Sequence, residues 1–126
     1  MIDDYFRELL ETVNASPVIG AHDIALEKRS DFIGYIRGDL PVRDGSRLHF
    51  REFVDTEHGV DRYMYAYQYQ RADNSLIFRY DNTDHYPDLP NAPHHKHENS
   101  ENNVISATAP DLAAVLKEIE TLVGAE

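Results

Sequence analysis

The chain has 126 residues, 41% of them apolar, and a net charge of −11 from 12 basic and 23 acidic side chains. That length predicts one compact domain, residues 1–126, and the absence of cysteine excludes disulfide scaffolds, zinc knuckles and thiol catalysis. No apolar run approaches the roughly 20 residues that span a bilayer. The start, Met1-Ile2-Asp3-Asp4, is acidic and lacks the charged and apolar regions of a signal peptide, so a cytoplasmic, membrane-free protein is expected. An acid excess with nine Arg and only three Lys is the balance that a high-salt cytoplasm favours. It also argues against a generic nucleic-acid binder, whose affinity comes from a basic face. The charge is uneven, however. Residues 43–80 carry six basic and six acidic groups, so a phosphate backbone is best sought in that arginine-bearing middle.

In chain order, Ile2, Phe6, Leu9, Leu10 and Val13 recur at helical spacing, and Asp3 and Asp4 complement the dipole of the first turn. An amphipathic helix is predicted there, ended by Asn14-Ala15-Ser16-Pro17. Alternation then predicts strands over 18–28, 32–42, 48–54, 60–71 and 76–80. Asp44-Gly45 supplies the positive φ of a tight hairpin, and the other turns fall at Thr56-Glu57-His58-Gly59 and Asp73-Asn74. Residues 81–107 hold three prolines and four histidines with almost no apolar periodicity, and read as a long His/Pro-rich loop. Thr108 reads as an N-cap before a closing helix striped by Leu112, Val115, Leu116, Ile119, Leu122 and Val123. The predicted class is α+β: a five-stranded, mainly antiparallel meander with an N-terminal and a C-terminal helix packed on it.

Chemistry concentrates just after the fifth predicted strand. Arg79-Tyr80-Asp81-Asn82-Thr83-Asp84-His85 is followed by Pro93-His94-His95-Lys96-His97, so four of the seven histidines fall within 13 residues. Imidazole exchanges protons near neutrality and also ligates metals. The bland alternative is a solvated loop tip. Two chemistries stay open. In one, Asp81, Asp84 and His85 with His95 and His97 hold a divalent metal such as zinc, since i, i+2 spacing puts two imidazoles on one side of an extended chain. In the other, no cofactor is needed. One of His85, His94, His95 and His97 takes a 2′-hydroxyl proton from RNA, another protonates the leaving 5′-oxygen, and Arg79 or Lys96 holds the phosphate.

Tyr63, Tyr65, Tyr67 and Tyr69 alternate along the fourth predicted strand and are expected to share one face, where Tyr67 and Tyr69 could stack bases or simply fill a core. Arg47, His49 and Arg51 oppose Leu48 and Phe50, which makes a solvated face with Arg51 available to a substrate. Glu52 shares the parity of Leu48 and Phe50, so this carboxylate needs a partner, an arginine of a neighbouring strand, or serves as a general base. The chain has no P-loop, dinucleotide fingerprint or nucleophile elbow.

The run Tyr67-Gln68-Tyr69-Gln70, then Leu76-Ile77-Phe78-Arg79-Tyr80-Asp81-Asn82, then Pro93-His94-His95-Lys96-His97, with Leu48-His49-Phe50-Arg51-Glu52-Phe53-Val54-Asp55 upstream, resembles the TumE-type toxin family of prokaryotic toxin–antitoxin modules. The resemblance covers most of the chain. It implies a toxin that cleaves RNA and a cognate helix-turn-helix antitoxin as partner. The reading from another class is a non-catalytic module that uses the histidine-rich loop to hold a protein or a metal.

Overall fold

The computed structural model describes residues 1–124; Ala125 and Glu126 lie outside the described residues. Helix α1 (Ile2–Ala15) buries Ile2, Phe6, Leu9 and Val13, one face of the predicted stripe. Seven strands follow: β1 (Asp23–Lys28), β2 (Ile33–Pro41), β3 (Arg47–Asp55), β4 (Asp61–Gln70), β5 (Leu76–Asp81), β6 (His95–Glu98) and β7 (Val104–Ser106). They form one antiparallel sheet in chain order, and α2 (Leu112–Gly124) closes the chain.

The sheet therefore has seven strands rather than five, and β6 and β7 lie inside the segment expected to be loop. His95-Lys96-His97-Glu98 contains no aliphatic, β-branched or aromatic residue other than imidazole. Its extended form comes from pairing with β5, not from propensity, so the apolar pattern is silent there. Gly45 has φ 91°, the conformation expected of its turn.

Alternation divides the sheet into two faces. Both helices cover one of them, where Ile36, Leu40, Leu48, Phe50, Val54, Tyr65, Tyr67, Tyr69 and Phe78 pack against the α1 and α2 stripes. Each large side chain buried in this layer contributes about 1.5–3 kcal/mol. Gly34 lets α1 come close, since a Cβ there would lie 2.6 Å from the Phe6 ring. Helix α2 is capped by Asp111, whose Oδ1 accepts the Ala114 N–H at 2.8 Å; Thr108 lies outside it and Leu122 is exposed.

A register shift between Phe53 and Val54 breaks the parity of β4. Tyr63 is turned away from the other tyrosines, 52% exposed and against Phe53, whereas Arg62 points under the helices. Glu52 is fully buried on the helix side, but no arginine touches it. Tyr5 and Tyr67 donate their hydroxyls to its two oxygens, and Arg62 donates to the Tyr67 hydroxyl at 2.9 Å and to the Pro110 carbonyl. Burial, reinforced by the adjacent carboxylate, pushes the Tyr5 and Tyr67 phenols well above the ordinary tyrosine range.

Candidate active site

The second face of the sheet carries no helix, and register arranges its side chains in two rows across the strands. One row runs Arg37, Arg51, Ala66, Asp81, His95; the next runs His49, Gln68, Arg79, His97. A groove of about 660 Å³ follows these rows, with Thr83, His85, Tyr86 and Glu101 on its walls. Strand β6 leaves both His95 and His97 on this face, as their i, i+2 spacing predicts.

At the β5–β6 end the side chains converge on Asp81. Oδ1 accepts from the Thr83 amide at 3.1 Å and the Thr83 hydroxyl at 2.8 Å, while Oδ2 accepts from Arg79 Nε at 3.2 Å. His95 Nε2 lies 2.9 Å from Oδ1, and His97 Nε2 lies 3.7 Å from Oδ2. Both imidazoles are fixed from behind: His95 Nδ1 donates to the Pro93 carbonyl and His97 Nδ1 to the Glu101 carbonyl, each at 2.9 Å. That turns each Nε2 towards Asp81. His97 Nε2 accepts from Arg79 at 3.2 Å, and Arg79 also donates to Gln68 Oε1 at 3.5 Å and pairs with the Glu101 carboxylate at 2.7 Å.

Burial alone would raise the Asp81 carboxyl. The Thr83 bonds, His95 and Arg79 outweigh it and hold the carboxyl below the ordinary aspartate range. Burial also opposes the Arg79 charge, and Glu101 with Asp81 more than compensates. Tyr86 lays its ring edge-on to His95 and His97, at 4.9 and 5.8 Å between centroids, and shields them from bulk water.

The structure gathers Arg79, Asp81, His95 and His97, and disperses the rest of the predicted set. Lys96 alternates to the helix side, where it pairs with Glu118 at 2.9 Å and lies over the Phe78 and Tyr80 rings. His94 bonds the Tyr65 hydroxyl at 2.7 Å and is not part of the Asp81 cluster. His85 lines the groove but is exposed, and Asp84 is exposed and outside the cluster. Tyr67 and Tyr69, at 0% and 1% exposure under the helices, present no face to a base. Arg51 does line the groove, directly opposite Arg37 on the neighbouring strand; among the described residues neither has an ion-pair partner. Sequence reasoning missed Arg37, Gln68, Thr83 and Glu101. Only Thr83 left a local signal, the Asp-x-Thr spacing that lets a carboxylate accept from the backbone two residues on.

This arrangement offers a fixed guanidinium, a buried carboxylate and two oriented imidazoles at the end of an arginine-lined groove. A family model, described as Toxin TumE, matches residues 7–123. The chain belongs to the TumE toxin family. It is thus a toxin of a toxin–antitoxin system, with an antitoxin as the implied partner. Comparison with curated proteins and with solved structures gave no match. Among the described residues, no helix of this TumE-family chain is long and apolar enough to cross a membrane.

Proposed function

We propose that this toxin cleaves RNA in the groove of the open face, acts in the cytoplasm, and is neutralised by direct contact with a helix-turn-helix antitoxin. The observation that carries the reading is the meeting of Arg79 with Asp81, His95 and His97, at the end of a groove that presents Arg37 and Arg51 within an otherwise acidic chain. Phosphodiester cleavage needs positive charge fixed where phosphate charge builds, and groups that handle protons near neutrality. Arg79, anchored by Glu101 and Gln68 on a rigid strand, supplies the first; the cluster around Asp81 supplies the second. One strand, β4, separates Arg51 from Asp81, two inter-strand spacings or about 10 Å, with the small Ala66 between them. A single RNA strand laid across the sheet places one phosphate at Arg79 and a neighbouring one near Arg51 and Arg37. In the reaction the 2′-oxygen bonds to phosphorus as the P–O5′ bond breaks. The 2′-hydroxyl gives up a proton and the leaving oxygen gains one.

Purified chain incubated with cellular RNA tests the reading. Cleavage is expected, and His97→Ala and Arg79→Ala should each lower it by about 10² or more with the fold intact by circular dichroism. Expression alone should arrest growth, and co-expression of an adjacently encoded helix-turn-helix protein should relieve the arrest. A folded chain that binds RNA without cutting it, or a His97→Ala chain as toxic as the parent, would sink the proposal.

A further inference from the structure

We propose that Asp81, His95 and His97 form a binding site for one divalent transition-metal ion of the zinc type. The proposal rests on the RNA-cleaving reading for the ion's use, though not for its binding.

Asp81 offers a carboxylate oxygen and each histidine one nitrogen, and these atoms all lie within 4.8 Å of one another. Metal bonds of about 2.0–2.2 Å set ligand atoms roughly 3–3.5 Å apart. Side-chain shifts of about an ångström therefore close the three onto one ion. Both histidines donate Nδ1–H to a backbone carbonyl, at Pro93 and at Glu101. That is the outer contact by which ligating imidazoles are oriented and their tautomer fixed, with the Nε2 lone pair turned to the ion.

The deciding detail is His95 Nε2. The side chain is 1% exposed, and this nitrogen faces Asp81 Oδ1 at 2.9 Å, within ion-pair distance but outside hydrogen-bond geometry. A shared proton or a bound cation satisfies a nitrogen and a carboxylate oxygen buried this close, and the third ligand atom, on His97, within 4.8 Å of both is what favours the cation. Direct proton transfer from His95 to a substrate does not account for this placement, because the nitrogen aims at Asp81 and His95 is not part of the groove wall. Arg79 now fills part of the space, bonded to Asp81 and His97. It keeps Glu101 and Gln68 as independent anchors, so it can yield those two contacts and stay beside the ion as the phosphate-holding charge. Two imidazoles and one carboxylate leave coordination positions open to water and to a phosphate oxygen. When bound, the ion would supply a water of lowered pKa for the proton transfers at the 2′- and 5′-oxygens, with Arg79 beside it to hold the phosphate.

Chain stripped with a chelator and titrated with ZnCl₂ by calorimetry, and with CoCl₂ by visible absorption, tests the site. One ion per chain with micromolar or tighter affinity is expected. Outer partners alone are worth about 10–100-fold in affinity. Losing a ligand in His97→Ala, His95→Gln or Asp81→Asn should therefore weaken binding by more than about 100-fold, while His85→Ala leaves it unchanged. Variants are compared only where circular dichroism shows the parent fold, and His97→Ala suffices if His95→Gln fails to fold. No binding at millimolar zinc, or undiminished binding in a folded ligand variant, overturns the site. RNA cleavage by the stripped and reloaded chain separates the two proposals. An ion held by the three residues with no RNA cut in either state refutes the RNA reading and leaves the metal site standing. Full-rate cleavage by a stripped chain that binds no ion does the reverse.

Discussion

Tyr5→Phe removes one hydroxyl and leaves its ring in place. In the folded chain that hydroxyl donates to Glu52, a carboxylate with 0% exposure whose other oxygen is served by Tyr67. A hydrogen bond to a charged group contributes about 1.5–3 kcal/mol, and the acceptor left behind is fully buried. The expected loss is about 2–3 kcal/mol. For a chain of this length the entropy of unfolding is roughly 0.26 kcal/mol per kelvin, so Tm should fall by about 8–12 °C. Thermal scans followed by circular dichroism, with urea unfolding alongside, measure it. Pairing the change with Glu52→Gln tests the cause. A neutral amide needs the donor less, so the two losses should fall short of additivity by about 1–2 kcal/mol. RNA cleavage at 25 °C should be unaffected, because the network lies on the face opposite the groove. A Tm shift below about 2 °C, or strict additivity with Glu52→Gln, would refute the idea that this phenol holds the buried carboxylate.

Gly34→Ala should cost about 1–3 kcal/mol in urea unfolding, because its Cβ would lie 2.6 Å from Phe6 and 2.7 Å from Ile2 and push α1 off the sheet. Lys96→Ala should lower stability by about 1 kcal/mol through the lost Glu118 pair and aromatic contacts; RNA cleavage should stay within about twofold of the parent rate, which a phosphate-binding lysine could not allow. Burial pushes the Tyr65 phenol up to about 12, and Tyr5 and Tyr67 are raised further. The unfolded chain releases these protons from about pH 10, so stability is intact below that pH and falls as pH rises towards 12. Urea midpoints should drop steadily over this window, and a flat profile would count against buried neutral phenols.

The first five strands were legible because each carries alternating apolar residues and a turn with a stated backbone need, such as Gly45. Strand β6 was not, since it carries imidazoles on the open face and a lysine on the helix side, whose burial depends on partners in β5 and α2. The cluster itself was half legible. Residue type and i, i+2 spacing pointed to His95 and His97, and nearness in sequence pointed to Arg79 and Asp81. Which neighbours of the histidines join them was decided by strand parity, which sends Lys96 to the other face. For Tyr67 and Tyr69, alternation shows that they share a face but not that helices cover it. For Tyr63, one bulge reverses the answer, and a bulge leaves no mark in hydrophobicity. Arg37 lies far along the chain from Asp81 and joins its row only through the sheet register, and Glu101 joins the cluster through Arg79.

Because strand order is chain order, every strand after the first pairs with the one made just before it. Arg37, Arg51, Arg79 and Asp81 are all made before His95 and His97, and the helix that seals the core beside Tyr80 is made last. Premature stops between β5 and β6, at positions 82–94, therefore release fragments that hold the arginines and the aspartate but neither imidazole. Frameshifts confined to the final helix spare every residue of the cluster but remove Glu118, the partner of Tyr80 on β5 and of Lys96 on β6.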